Sequence, residues 1–282
     1  MEGVAIIGAG ELGGAAAHLL ARRDLVRSIT LVDESGRVAA GKALDITQAA
    51  PIEGFATTLS GSNDVSAAAG ASIVVLADRV GSGEWQGEDG MLLLKRLTQT
   101  ASGAVIVCAG AAQRELVDRG VRELRFARAR LFGSAPEALA GGARALVALA
   151  VDGSPRDVAL SVLGVPPDHT VIPWADATIS GFTLTRLVDE PSRRRLVARV
   201  AALWPPGPYA LAAAATLIIE VMVGRSRRTP SCFVAPDSRE SSGTHTRTGA
   251  LPVRLGAAGI IDVLVPQLSA VEQVALDNAM AL

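Results

Sequence analysis

The chain has 282 residues, 49% hydrophobic and 20% charged, with 29 glycines; this composition fits a globular protein of two lobes, or one large domain, and excludes disordered and fibrous classes. Net charge is -1 and the basic residues are spread along the chain, so no electrostatic footprint points to nucleic acid or an anionic membrane, whereas small neutral or anionic ligands stay open. The two cysteines, Cys108 and Cys232, lie far apart in apolar contexts, the usage of buried thiols in a reducing compartment and not of a disulfide framework.

From Gly3 to about residue 132 short apolar runs alternate with longer amphipathic or Ala-rich segments. The N-terminus enters the first run with no basic region of a secretory signal, which leads us to expect a cytoplasmic protein. Strands are expected at Val4–Gly8, Ser28–Asp33, Phe55–Ser60, Ser72–Ala77, Ala104–Ala109 and Ala129–Phe132, with helices starting near Glu11, Val38, Ser66, Asp89 and Gln113. Continuous apolar strands joined by helices predict a parallel sheet covered on both faces. After Gly133 the rhythm changes to an Ala-rich helix (Glu137–Val151), a strand-like run (Val158–Leu163), a Pro166-Pro167 turn and a long helix (Ala210–Arg225). Strand-like runs at Cys232–Ala235, Ala250–Leu255 and Ile260–Val265 follow, with a polar loop at 241 to 246 and a closing helix from Ser269. The apolar stretch Tyr209–Val223 contains Glu220 and is shorter than a bilayer requires, so it reads as a buried helix. The expected architecture is α/β: a doubly wound parallel sheet of the Rossmann type over residues 1–132, then a mixed α/β C-terminal domain over 133–282.

One local pattern carries chemistry. Gly8-Ala9-Gly10-Glu11-Leu12-Gly13 follows an expected strand and opens an expected helix, and Asp33 ends the next strand. In such a dinucleotide fingerprint Gly8 permits the tight turn, Gly10 lets the backbone approach a pyrophosphate, and Gly13 lets the helix pack on the sheet. The N–H groups of the helix start, including those of Glu11 and Leu12, then face the phosphates. Asp33 is expected to accept from the ribose hydroxyls and to repel a 2′-phosphate, favouring NAD over NADP. The competing account of the same glycines is close packing in an α/β protein without a nucleotide.

The first lobe resembles the malate and lactate dehydrogenase family beyond these glycines. Gly41-Lys42-Ala43-Leu44-Asp45, Pro51-Ile52-Glu53-Gly54-Phe55 and Gly61-Ser62-Asn63-Asp64 are similar to that family's stretch through the third strand. Thr178-Ile179-Ser180-Gly181 and Leu251-Pro252-Val253-Arg254-Leu255-Gly256 extend the likeness over nearly the whole chain. The resemblance implies an NAD-binding lobe, a mixed α/β substrate lobe and a homo-oligomer, dimer or tetramer.

The family reduces a 2-oxo acid with NADH, using a His-Asp pair as general acid, arginines that clamp carboxylates and an Asn near the nicotinamide. Carried over by the resemblance, the His position falls on Pro166 within Gly164-Val165-Pro166-Pro167-Asp168. Its paired Asp falls on Leu139, a substrate Arg on Gly142, and the Asn-Asn-Pro on Gly110-Ala111-Ala112. The lid, which carries two arginines in the family, spans Val80–Leu94 here without a Lys or Arg and with Glu84, Glu88 and Asp89. The loop after the fourth strand reads Asp78-Arg79-Val80-Gly81. Each lost charge-assisted contact is worth about 1.5–3 kcal/mol, and a lost general acid about a hundredfold to ten-thousandfold in rate.

Three histidines remain: His18, His169 and His245. His18 reads as a partly exposed helix residue and His245 as a solvated loop residue. His169 lies three positions after Pro166, where it would act as a displaced acid–base group if Glu137 or Asp168 oriented it. No metal-ligand spacing is visible. Trp85 covers a site or anchors a loop, and Arg193-Arg194-Arg195 and Arg225–Arg228 read as solvated faces or helix C-terminal partners. The sequence therefore predicts no family catalytic residue, with His169 the one candidate, and a cofactor site of Gly8, Gly10, Glu11, Leu12, Gly13 and Asp33. The leading reading is an NAD(H)-binding pseudoenzyme. Its rivals are an active oxidoreductase on a neutral or cationic substrate using His169, and a structural protein without nucleotide.

Overall fold

A computed structural model describes residues 3–237 and 246–281. In chain order its first part contains β1 (Gly3–Ile7), α1 (Glu11–Arg22), β2 (Ser28–Val32), α2 (Gly36–Glu53), β3 (Thr58–Ser62), β4 (Ile73–Leu76), β5 (Asp78–Arg79), β6 (Gly83–Glu84), α3 (Gly87–Thr100), β7 (Val105–Cys108), α4 (Arg114–Glu123) and β8 (Leu131–Gly133). The rest contains α5 (Ala135–Ala150), β9 (Val158–Ala159), β10 (Leu163–Val165), β11 (His169–Val171), β12 (Thr178–Ile179), β13 (Phe182–Thr183), α6 (Leu184–Leu187), α7 (Glu190–Ala201), α8 (Pro208–Met222), β14 (Ser231–Val234), β15 (Gly249–Gly256), β16 (Gly259–Val263) and α9 (Ala270–Ala281).

Six strands lie in the order β3-β2-β1-β4-β7-β8, all parallel. The chain winds outward from β1 to β3, then returns to β4 on the other side of β1, so a crevice opens beyond the ends of β1 and β4, the switch point where doubly wound sheets bind ligands. The sheet continues through β14, β15, β10 and β11 by antiparallel pairing.

Period-two alternation explains the two-sided burial of the central strands. Val4, Ile6, Ile73, Val75, Val105 and Val107 point to the face covered by α1, α2 and α8, whereas Ala5, Ile7, Val74, Leu76, Ile106 and Cys108 point to α3 and α4. The Ala-rich α8, from the second half of the chain, packs on α1 and completes the first cover. A third apolar cluster, with Leu139, Val147, Val162 and Leu196, fills the second half.

Several expectations shift. The third strand begins at Thr58 and not Phe55, because α2 continues through Pro51 and ends at Gly54 in the left-handed region (φ 77°). The helix expected near Ser66 is one 3-10 turn, Val65–Ala68, whose first N–H groups turn toward Asp64. The single run expected at Val158–Leu163 divides into β9 and β10, which join different sheets. The lid stretch begins as a hairpin, β5 with β6, and passes into α3. The loop at 241–245, with His245, lies outside the described residues.

Candidate cofactor site

The glycine segment sits where the sequence places it, between β1 and α1, at the switch point. Gly8 has φ 114°, and a Cβ there would overlap the Asp78 backbone; a Cβ on Gly13 would overlap the Gly8 carbonyl oxygen. The loop is therefore pressed between the start of α1 and the end of β4, a close approach that only glycine allows. Glu11 is exposed in the first turn of α1, Leu12 is buried beneath it, and Lys42 of α2 donates to the Gly10 carbonyl at 2.6 Å.

Asp33 lies at the end of β2 but faces inward. It is 3% exposed, and its Oδ2 accepts from the N–H groups of Ala9 (2.8 Å) and Val80 (3.0 Å) while Oδ1 accepts from Ser35 N–H (2.9 Å). Instead of presenting both oxygens to a ribose, it ties the glycine loop, the β2–α2 turn and the start of the lid stretch together.

The residues that the sequence reading left out of the site are Asp78 and Glu84. The Asp78 carbonyl accepts from Gly10 N–H at 2.9 Å, and its Oδ1 accepts from Gly13 N–H at 3.0 Å. A Cβ on Gly10 would overlap the Asp78 carboxyl group, so that group occupies the open face of the loop. Glu84 turns to the far side of the crevice, where its oxygens accept from the N–H groups of Ala111 (3.0 Å) and Ala112 (2.8 Å) and fill the space a Cβ on Gly110 would take. Burial pushes the Glu84 carboxyl above its usual range against those two hydrogen bonds, and the nearby Asp78 charge pushes the same way. The hairpin is anchored by the Arg79 guanidinium, 4.4 Å from the ring centre of Trp85 and 3.4 Å from Asp89. Trp85, 8% exposed, lies in the core beside α3, so it anchors the segment.

The positions reached by the resemblance are apolar. Leu139 is buried in the third cluster, and a Cβ on Gly142 would meet the Leu203 side chain, which closes that face of α5. Pro166 precedes Pro167 through a cis peptide bond. Glu137 is buried, with Oε1 on Arg144 (2.7 Å) and Oε2 accepting from Ser231 N–H (2.9 Å), so its carboxylate is committed away from His169. His169 begins β11, exposed, in a surface depression with Asp168 and with Ala275 and Asn278 of α9. Among the described residues its imidazole meets no carboxylate within ion-pair distance. His18, 39% exposed, pairs with Glu53 at 3.1 Å.

Residues 2–95 match the lactate/malate dehydrogenase NAD binding domain. A malate dehydrogenase from Thioalkalivibrio sulfidiphilus is 30% identical over 208 residues, 71% of this chain and 68% of the relative. The chain belongs to the malate/lactate dehydrogenase family. A family member from Thermomicrobium roseum, also a malate dehydrogenase, is 29% identical over 98% of this chain and 94% of its own length. The fold agrees with solved family structures: malate dehydrogenase from Salinibacter ruber has a TM-score of 0.83 at 24% identity over 99% of this chain and 94% of its own. Lactate dehydrogenase from Cryptosporidium parvum, complexed with lactic acid and nicotinamide adenine dinucleotide, has a TM-score of 0.86 at 19% identity over 99% and 96%. The family's cofactor is NAD. The cradle of this family member fits an anion: Gly13 N–H, in the first turn of α1, donates to the Asp78 carboxylate, as it would to a diphosphate oxygen.

Proposed function

We propose that this family member binds NAD(H) through Gly8, Gly10, Glu11, Leu12 and Gly13, with Asp33 holding the loop, and that it does not reduce 2-oxo acids. When bound, NADH supplies a hydride. The backbone N–H groups of the α1 start would hold its diphosphate, and the hydrogen bonds of Asp33 with Ala9, Ser35 and Val80 keep that loop in shape before the ligand arrives. What carries the second half of the reading is the set of side chains at the transferred catalytic positions: Pro166, Leu139, Gly142 and Gly110, none of which donates a proton or clamps a carboxylate. Two of these positions support it further, Leu139 by its burial in an apolar cluster and Gly142 by the Leu203 side chain beside it. The stretch Val80–Leu94 has no Lys or Arg to clamp a carboxylate, where the resemblance implies cations.

The reading includes a boundary near residue 132, a cytoplasmic location and a homo-oligomer. Large apolar side chains left exposed on three helices, Leu44 and Ile52 on α2, Leu149 on α5 and Tyr209 on α8, support the last of these. Titration of the purified protein with NADH, with NADPH as control, tests the cofactor half. Saturable NADH binding is expected, and no binding of either contradicts it.

A further inference from the structure

We infer that Asp78 is an internal competitor for the diphosphate of the dinucleotide, and that the β5–β6 hairpin must release it before NAD(H) can bind. The inference rests on the cofactor reading above and adds to it what sets the affinity. A diphosphate binds such a loop because the start of α1 offers backbone N–H groups and the second glycine has no side chain in the way. Here both provisions are taken by one side chain: Gly13 N–H donates to Asp78 Oδ1 at 3.0 Å, and the Asp78 carboxyl group fills the face of Gly10. A ligand diphosphate and this carboxylate are like charges seeking the same donors, so one excludes the other.

The competitor is held on the crevice by contacts along its own short hairpin. Val80 N–H donates to Asp33, Arg79 rests on Trp85, and Glu84 accepts from Ala111 and Ala112 on the opposite wall. These contacts span the crevice from the β1 side to the β7 side, so the hairpin straps the site shut with a carboxylate at each end.

The test is binding of NADH, ADP-ribose and adenosine to the full chain and to its Asp78→Ala and Asp78→Asn variants, by calorimetry. ADP-ribose carries the diphosphate without the nicotinamide, and adenosine lacks the diphosphate. The expected result is at least tenfold tighter binding of NADH and ADP-ribose in Asp78→Ala, a smaller gain in Asp78→Asn, which removes the charge and keeps the shape, and unchanged adenosine binding. Equal affinities for NADH in all three proteins overturn the inference and leave the cofactor reading standing. An equal gain for adenosine also overturns it, because the effect is then general opening and not relief of competition. No NADH binding by any of the three overturns both.

Discussion

Three carboxylates, Asp33, Asp78 and Glu84, answer backbone N–H groups around one crevice, and their environments set different roles. Asp33 receives three such donors and is structural; Asp78 takes a donor that a ligand would use; Glu84 is buried enough that its charge is disfavoured. A carboxyl raised in the folded state above its ordinary value of 4.5 binds protons more readily folded than unfolded, so its contribution to stability is full below about that value and is lost as pH rises through the folded value. The melting temperature of Glu84→Gln minus that of the parent is therefore expected to grow from pH 4 toward pH 7. A difference independent of pH contradicts this. Glu137 is the opposite case, a buried acid with a full complement of partners. Replacing it by Ala leaves Arg144 without its charge partner and Ser231 N–H without an acceptor, at an expected cost of about 3–5 kcal/mol in denaturant unfolding. Burial raises the thiols of Cys108 and Cys232 well above their ordinary range. A thiol reagent is expected to modify neither until the protein unfolds, and fast labelling of the native protein contradicts that.

At the scale of elements, the long strands and helices of the first lobe were legible because each carries a complete period. The strands β1, β4 and β7 are unbroken apolar runs, and α1 opens on the glycine signature. The hairpin β5–β6 was not legible, since two residues per strand cannot show alternation, and its importance comes from facing the glycine loop across the switch point. The signal that would have found Asp78 is its place directly after β4, whose end abuts Gly8. The helix α7 was hidden by Arg193–Arg195, which reads as a charged face; its buried residues are Leu196 and Val200. The closing helix was legible for a local reason: Ser269 and Glu272 exchange hydrogen bonds as a capping box, and Glu272 also accepts from Trp174 N–H. Ser269→Ala is expected to cost about 1 kcal/mol, read as a shift of the unfolding midpoint. A shift of zero contradicts the role of the cap.

For the whole molecule, α8 joins the two halves by covering β1 and α1 with side chains from the far end of the chain, and the sheet runs unbroken from β3 to β11. The frame that positions a cofactor is thus intact, and the proposed function separates it from chemistry on a 2-oxo acid, for which the resemblance leads to a proline, a leucine and glycines. Mixing NADH-saturated protein with oxaloacetate or pyruvate and following NADH absorbance tests this separation of binding from chemistry most directly. The account predicts that NADH stays bound and unoxidised with either substrate; steady oxidation at a rate above the protein-free control would contradict it.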